Sequence, residues 1–379
     1  MAISARASNR SSMGSLPNAM RRTKRTPYRR RPTSLPRLPR FTFQSFIAFL
    51  IALFLFLLGD RTLAPAIPGE GQPITFYSVE LQDDLRRLFV SAIDGARESV
   101  SLFIYSLNDR SILQALQRAH ERGVSLFVVC DEHASAHIDK RLPKGTKLIY
   151  AGSRTSLMHL KILIVDQETL LIGSANFTND SLMRHRNLVA GLTHRELALR
   201  LEQLLKDETR WTIPSWKETN PLRFSTGTGK GEFWLLPDER AVGRLRQLMA
   251  SAQKSLQVAL YTFTRWDLAQ ELIQALERGV QVSVLIDNQS AKGTSAKVAQ
   301  GLFKKGLTPR LGRADRLLHH KMVIVDGTTI AFGSANWTQA AFKKNVDCLL
   351  IVEGLDATQE EKLSKIWQQL TKESLPFRK

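Results

Sequence analysis

The chain has 379 residues, of which 43% are apolar and 23% charged, and a formal net charge of +19. That length holds two or three domains with a sizeable core, and the composition excludes a disordered or collagen-like chain. Two cysteines exclude a disulfide scaffold or a cysteine-rich zinc framework; Cys130 and Cys348 lie in or at the end of apolar runs and read as buried thiols.

The charge is uneven. Residues 1–59 hold eleven Lys and Arg and no acid, which leaves +8 for the remainder. The body is therefore moderately basic and suits a polyanion or an anionic membrane surface. Residues 1–40 are rich in Arg, Ser and Pro. They cannot bury enough apolar surface to offset their ordering entropy and read as a basic disordered segment. Residues 41–59, FTFQSFIAFLIALFLFLLG, carry no charge. As a helix they would span about 28 Å, close to the hydrocarbon thickness of a bilayer.

This stretch reads as a single N-terminal transmembrane anchor or a signal. The basic flank keeps the N-terminus cytoplasmic and places the body on the opposite side. Ala64-Pro65-Ala66 is a weak cleavage cue, so a secreted product is the alternative. The acid-free, Arg- and Ser-rich leader also resembles a mitochondrial transit sequence. Residues 60–74 read as a linker.

The body is one unit written twice. Residues 99–131 and 255–287 align at an offset of 156, pairing Tyr105 with Tyr261, Gly123 with Gly279 and Asp131 with Asp287. Each copy has a partly alternating apolar run, a segment of helical spacing ending at Gly, and a continuous apolar run. That is a β-α-β unit and predicts an α/β sheet. Residues 157–177 and 317–337 align at an offset of 160, each as strand, tight turn and strand. The expected organisation is repeat 1 at 75–212, a linker at 213–232 and repeat 2 at 233–375.

Both copies carry H-x-K-x(4)-D-x(6)-G-S-x-N. The residues are His159, Lys161, Asp166, Gly173, Ser174 and Asn176, then His319, Lys321, Asp326, Gly333, Ser334 and Asn336. On a strand, positions i and i+2 share a face, so each His projects with its Lys. The intervening Leu160 and His320 face away. A phosphodiester transition state spreads negative charge over non-bridging oxygens. Two ammoniums and two amides offer donors for them. One neutral imidazole can attack phosphorus, and a second, protonated, can protonate the leaving alkoxide. A lone H-x-K or G-S-x-N carries little weight. Their repetition at identical spacing, in a chain whose other segments also repeat, carries a great deal. Asp166 and Asp326 read as supporting, structural carboxylates, and the glycines as backbone positions.

Through Asn176 and Asn336 both motifs match the signature of the phospholipase D superfamily, and the resemblance covers roughly residues 75–375. It implies two α/β repeats, each a mixed sheet flanked by helices, facing each other with pseudo-two-fold symmetry. It further implies one shared site, metal-independent catalysis through a phosphohistidine, and no cofactor. Compact members often carry an acid shortly after G-S-x-N that orients a catalytic His. Here Asp347 fills that place in repeat 2, while repeat 1 departs with Asn187. By family habit His159 is the nucleophile and His319 the general acid.

Arg154, Arg184, Arg186, Arg313, Arg316, Lys343 and Lys344 adjoin the motifs and are candidates for substrate binding. The expected activity is phospholipase D-type hydrolysis of phospholipid at a membrane. A nuclease acting on DNA or RNA is the alternative, and a cardiolipin synthase-like transphosphatidylase a further one. A monomer suffices, because both imidazoles lie in one chain.

Overall fold

The computed structural model describes residues 45–50, 65–211, 216 and 218–378. The expected disordered segment lies outside these residues, as does most of the expected span at 41–59, of which 45–50 is helical. Among the described residues no helix is long and apolar enough to cross a membrane. From Thr62 onward the chain forms one compact unit.

The described residues of this unit form two mixed sheets. The first contains β1 (Thr75–Tyr77), β2 (Ser99–Ile104), β3 (Ser125–Asp131), β4 (Lys147–Ala151), β5 (Lys161–Val165), β6 (Thr169–Gly173) and β7 (Val189–Thr193), in the order β1-β7-β6-β5-β2-β3-β4. The second contains β8 (Leu222–Ser225), β9 (Lys230–Leu236), β10 (Ser255–Leu260), β11 (Gln281–Ile286), β12 (Arg310–Leu311), β13 (Lys321–Val325), β14 (Thr329–Gly333), β15 (Asp347–Glu353) and β16 (Leu375–Pro376). Its order is β16-β12-β11-β10-β13-β14-β15-β9-β8. The run from β2 to β7 is repeated from β10 to β15, including the parallel β2–β3 and β10–β11 pairs across their connecting helices.

Local chemistry explains the repeated parts. Asp109 caps helix Arg110–Glu121 by accepting from the Ser111 and Ile112 amides, and Gly123 ends the connection at φ +86°. The hairpin β5–β6 turns through Asp166 and Gln167, both at positive φ, and β13–β14 through Asp326 and Gly327. Asp166 also accepts from the amides of Arg97, Glu98 and Ser99, and Asp326 from those of Gln253, Lys254 and Ser255. These carboxylates tie each hairpin to the entry of the neighbouring strand.

One face of β5 and β13 joins a core common to both sheets. Leu160, Ile162 and Ile164 enter it from one repeat and Leu318, Met322 and Ile324 from the other. Phe76 meets Phe332 edge-on within it at 5.7 Å. Helices Arg195–Leu205 and Ala357–Glu373 close this core, while the remaining long helices cover the outer faces. Among its described residues, the expected linker at 213–232 contains β8 and the start of β9. Leu222 is buried there, and β9 pairs along β15. Its Gly and Thr residues serve the turn between these strands.

Candidate active site

His159 and His319 sit just before β5 and β13, and each approach is stitched to the opposite repeat. The His159 amide donates to Val346 O at 2.7 Å, and the Val346 amide to Leu157 O at 2.8 Å. In the symmetric place, the Arg186 amide donates to Leu317 O at 2.8 Å and the His319 amide to Arg186 O at 2.9 Å. Within each repeat an acid at the end of a strand adds a second tie. Asp131 accepts from the Met158 amide at 3.1 Å and Asp287 from the Leu318 amide at 3.2 Å.

The imidazoles are anchored across the same seam. His159 Nδ1 lies 2.7 Å from Oδ1 of Asp347, and His319 Nδ1 lies 2.9 Å from Oδ1 of Asn187. Ser334 Oγ donates to that Asp347 oxygen at 2.7 Å, and Ser174 Oγ to the Asn187 oxygen at 2.8 Å. The same two hydroxyls accept from the Cys348 and Leu188 amides. The glycine before each serine permits this closeness. A Cβ on Gly173 would meet Leu188 O at 2.1 Å, and one on Gly333 would meet Cys348 O at 2.4 Å.

Lys161 Nζ donates to His159 O at 2.7 Å and Lys321 Nζ to His319 O at 2.8 Å. Each ammonium also lies over a tyrosine ring, Tyr105 at 4.9 Å and Tyr261 at 5.1 Å. The same rings pack on the imidazoles, at 5.0 Å for His159 and 5.2 Å for His319. Asn176 and Asn336 occupy matching positions, and the amide oxygen of each is buried with no hydrogen-bond partner.

The two imidazoles are 7% and 6% exposed, and both lysines are buried. Positive charge is crowded here. Burial and then Lys161 hold His159 below the ordinary histidine range, against the pull of Asp347. Burial, Lys321, Lys161 and His159 together hold His319 well below it. Burial pushes Lys161 down to about 7 and, aided by Lys161, Lys321 well below the usual lysine value. Groups of both repeats thus act on one another electrostatically. Among the described residues no cluster of three or more His, Cys, Asp or Glu is placed to hold a metal.

The flanking basic residues divide. Arg154, Arg184, Arg313, Arg316, Lys343 and Lys344 are exposed. Arg313 pairs with Asp315 at 2.8 Å and Lys343 with Glu239 at 3.5 Å. Arg186 is a correction to the sequence-based expectation. It is buried and bonded to Glu80 and Glu373, so it faces the core and not a substrate. Tyr105, Tyr261, Asp131 and Asp287 were absent from the sequence-based site. Their identity at the 156-residue offset was the available signal. Cys130 and Cys348 are free and buried, and burial pushes their thiols up to about 12 and about 11.

Residues 89–209 and 245–370 match a family described as cardiolipin synthase, PLD-like domain. A mitochondrial cardiolipin hydrolase of Xenopus tropicalis is 32% identical over 142 residues, covering 37% of this chain and 67% of that protein. The Homo sapiens mitochondrial cardiolipin hydrolase is 30% identical over 142 residues, covering 37% and 56%. Across the curated relatives compared, the match spans between 55% and 67% of their length. In fold, the chain is similar to phosphatidylserine synthase of Haemophilus influenzae (TM-score 0.63, 16% identity, 83% of this chain and 89% of that one). It is also similar to polyphosphate kinase of Porphyromonas gingivalis (TM-score 0.55, 15% identity, 78% and 50%). Identities this low speak to fold alone.

Proposed function

The chain belongs to the phospholipase D superfamily, and from that premise we propose that it hydrolyses phospholipid phosphodiesters through a phosphohistidine. The observation that carries this reading is the crossed anchoring of the two imidazoles: each Nδ1 is held by a side chain of the opposite repeat. Both Nδ1 atoms are thereby occupied, which leaves both Nε2 atoms for chemistry.

With Asp347 accepting from Nδ1–H, His159 Nε2 presents its lone pair to phosphorus. The new N–P bond forms as the P–O bond to the leaving group breaks. Protonated His319 Nε2 delivers its proton to the departing alkoxide. The neutral imidazole left behind then takes a proton from water, whose oxygen attacks phosphorus and breaks the N–P bond. Lys161 and Lys321, with the amides of Asn176 and Asn336, bind the non-bridging oxygens. The Asp–Asn asymmetry favours this order. A carboxylate suits the imidazole that becomes cationic when phosphorylated, whereas a neutral amide leaves His319 more willing to release its proton.

A phospholipid substrate is supported by the names of the relatives and by the apolar stretch at 41–59, which suits a tether holding the site beside a bilayer at high effective concentration. The exposed Arg154, Arg184, Arg316 and Lys344 favour a second reading, a nuclease. Near-complete burial of the reactive groups would then suit a flexible single strand over a rigid duplex. The test is turnover by the full chain in detergent, with and without EDTA, on phosphatidylcholine, cardiolipin, single-stranded DNA and RNA. Phospholipid turnover is expected, with cleavage that persists in EDTA. Turnover of nucleic acid alone, falling steeply with salt, would instead select the nuclease.

A further inference from the structure

The two imidazole anchors are supported in different ways. Asp347 lies within the sheet: β15 pairs with β9 from Glu353 through Asp347, opposite Leu236. Asn187 has no such ladder. β1 pairs with β7 only as far as Val189, opposite Tyr77, so Asn187 lies two residues past the last pair. Its side chain is also neutral, so it holds His319 by direction alone.

A buried polar cluster occupies the place of the missing ladder. The single Ser78 Oγ proton is shared between two acceptors, the main-chain oxygen of Asn187 at 2.8 Å and the Glu80 carboxylate. The Glu80 carboxylate, fully buried, meets Arg186 Nη1 at 3.3 Å and His320 Nε2 at 3.4 Å. Arg186 and His320 are the chain neighbours of Asn187 and His319, and the Arg186 carbonyl accepts from the His319 amide. At the pseudo-symmetric positions repeat 2's partner side is apolar: Leu160 replaces His320, and Val346 replaces Arg186. Leu160 packs in the common core as its spacing requires. The buried histidine has one side-chain partner, Glu80 on Nε2, while its Nδ1 has none, which is costly without a function.

We propose that Glu80 is a positioning residue for His319: by gripping Arg186 and His320, and sharing the Ser78 proton with the Asn187 carbonyl, it fixes the main chain around both Asn187 and His319. The amide oxygen of Asn187 then stays aimed at Nδ1, and Nε2 stays aimed at the leaving group. This role rests on the phosphohistidine reading above and assigns Glu80 to one half-reaction within it. Burial alone would raise the Glu80 carboxyl; His320, Ser78 and Arg186 outweigh it and keep the group below its usual range, as a working carboxylate anchor requires.

The experiment compares two leaving groups in the first turnover of the full-length protein. Release of p-nitrophenolate from bis(p-nitrophenyl) phosphate needs little help from an acid, whereas release of an alkoxide from a dialkyl phosphodiester needs much. Glu80→Gln keeps the shape of the side chain and removes its charge. The first-turnover rate of the alkoxide reaction is expected to fall by about 10-fold or more, with the p-nitrophenolate burst changed by less than about 2-fold. Ser78→Ala, which cuts the link to Asn187 without touching the ion pairs, is expected to shift the same ratio. Equal loss with both leaving groups in both variants would reduce the cluster to a structural role and overturn the proposal. A wild-type protein that cleaves neither ester overturns the phosphodiesterase reading itself.

Discussion

Asp347 Oδ1 lies 2.7 Å from His159 Nδ1, although the two residues belong to different repeats and are 188 positions apart. The symmetric contact, Asn187 to His319, has the same geometry at 2.9 Å but a neutral partner. The duplicated halves have therefore kept a common shape and diverged in charge.

Asp347→Asn makes both anchors amides. The variant is expected to form the covalent intermediate about 10–100-fold more slowly with little change in KM, because the imidazole that becomes cationic loses its counter-charge. Asn187→Asp is expected to act oppositely on the other side. A carboxylate raises the His319 pKa, so the high-pH limb of the rate profile moves to higher pH. Single-turnover rates across pH read both effects, and an unmoved profile in Asn187→Asp would contradict the assignment of His319 as acid.

The crowded cations make stability depend on pH in a definite direction. Lys161 sits at about 7 in the folded protein, whereas an unfolded lysine titrates near ~10.4. Between these values the unfolded chain binds more protons, so this group makes the fold more stable as pH rises through that window. Urea denaturation at ~pH 7 and ~pH 9 should show the rise in the wild type and a smaller one in Lys161→Met, where Lys321, also held below the usual lysine value, keeps its own share. Saturating vanadate restores the lysine charge and should flatten the same rise.

Gly173→Ala places a methyl where only 2.1 Å separates it from Leu188 O. The β6–β7 seam must open, and destabilisation of about 1–3 kcal/mol is expected by denaturant titration. Wild-type stability in this variant would show that the seam has slack absent from the structure.

Arg186 and Arg154 are both arginines beside the motifs, yet different outcomes are expected. Arg186→Ala takes the arginine from between Glu373 and the buried Glu80, leaving Glu80 only His320 and Ser78, and should cost about 3–5 kcal/mol of stability. Arg154→Ala, at an exposed site, should leave stability within about 0.5 kcal/mol. Equal thermal shifts in the two variants would contradict their placement.

Much of this site was legible because it is written twice. The spacing of His159 and Lys161 on one strand face, the turn at Asp166 and the glycine before Ser174 are local features, and self-comparison separated them from chance. The sequence also showed that Asn187 and Asp347 differ. It could not show which imidazole each one meets, because that depends on a seam between segments 188 or 132 residues apart. The role of Arg186 was misread for a related reason. Its charge looked like a surface feature until Glu80 and Glu373, distant in the chain, were found buried beside it. β8 and the start of β9 were hidden by Gly and Thr residues that resemble linker composition, since β8 pairs only with β9, and β9's other partner, β15, lies more than a hundred residues onward.

The most direct test is to quench the full-length protein during turnover of a labelled phosphodiester and map the label by mass spectrometry under alkaline conditions. The expected result is a single phosphorylated peptide containing His159, lost in His159→Asn. In His319→Asn the label should still form from a p-nitrophenyl ester and then accumulate, since no group remains to activate water. Label on His319 in the wild type would reverse the roles, and turnover surviving in either single variant at the wild-type rate would contradict a site shared by both repeats.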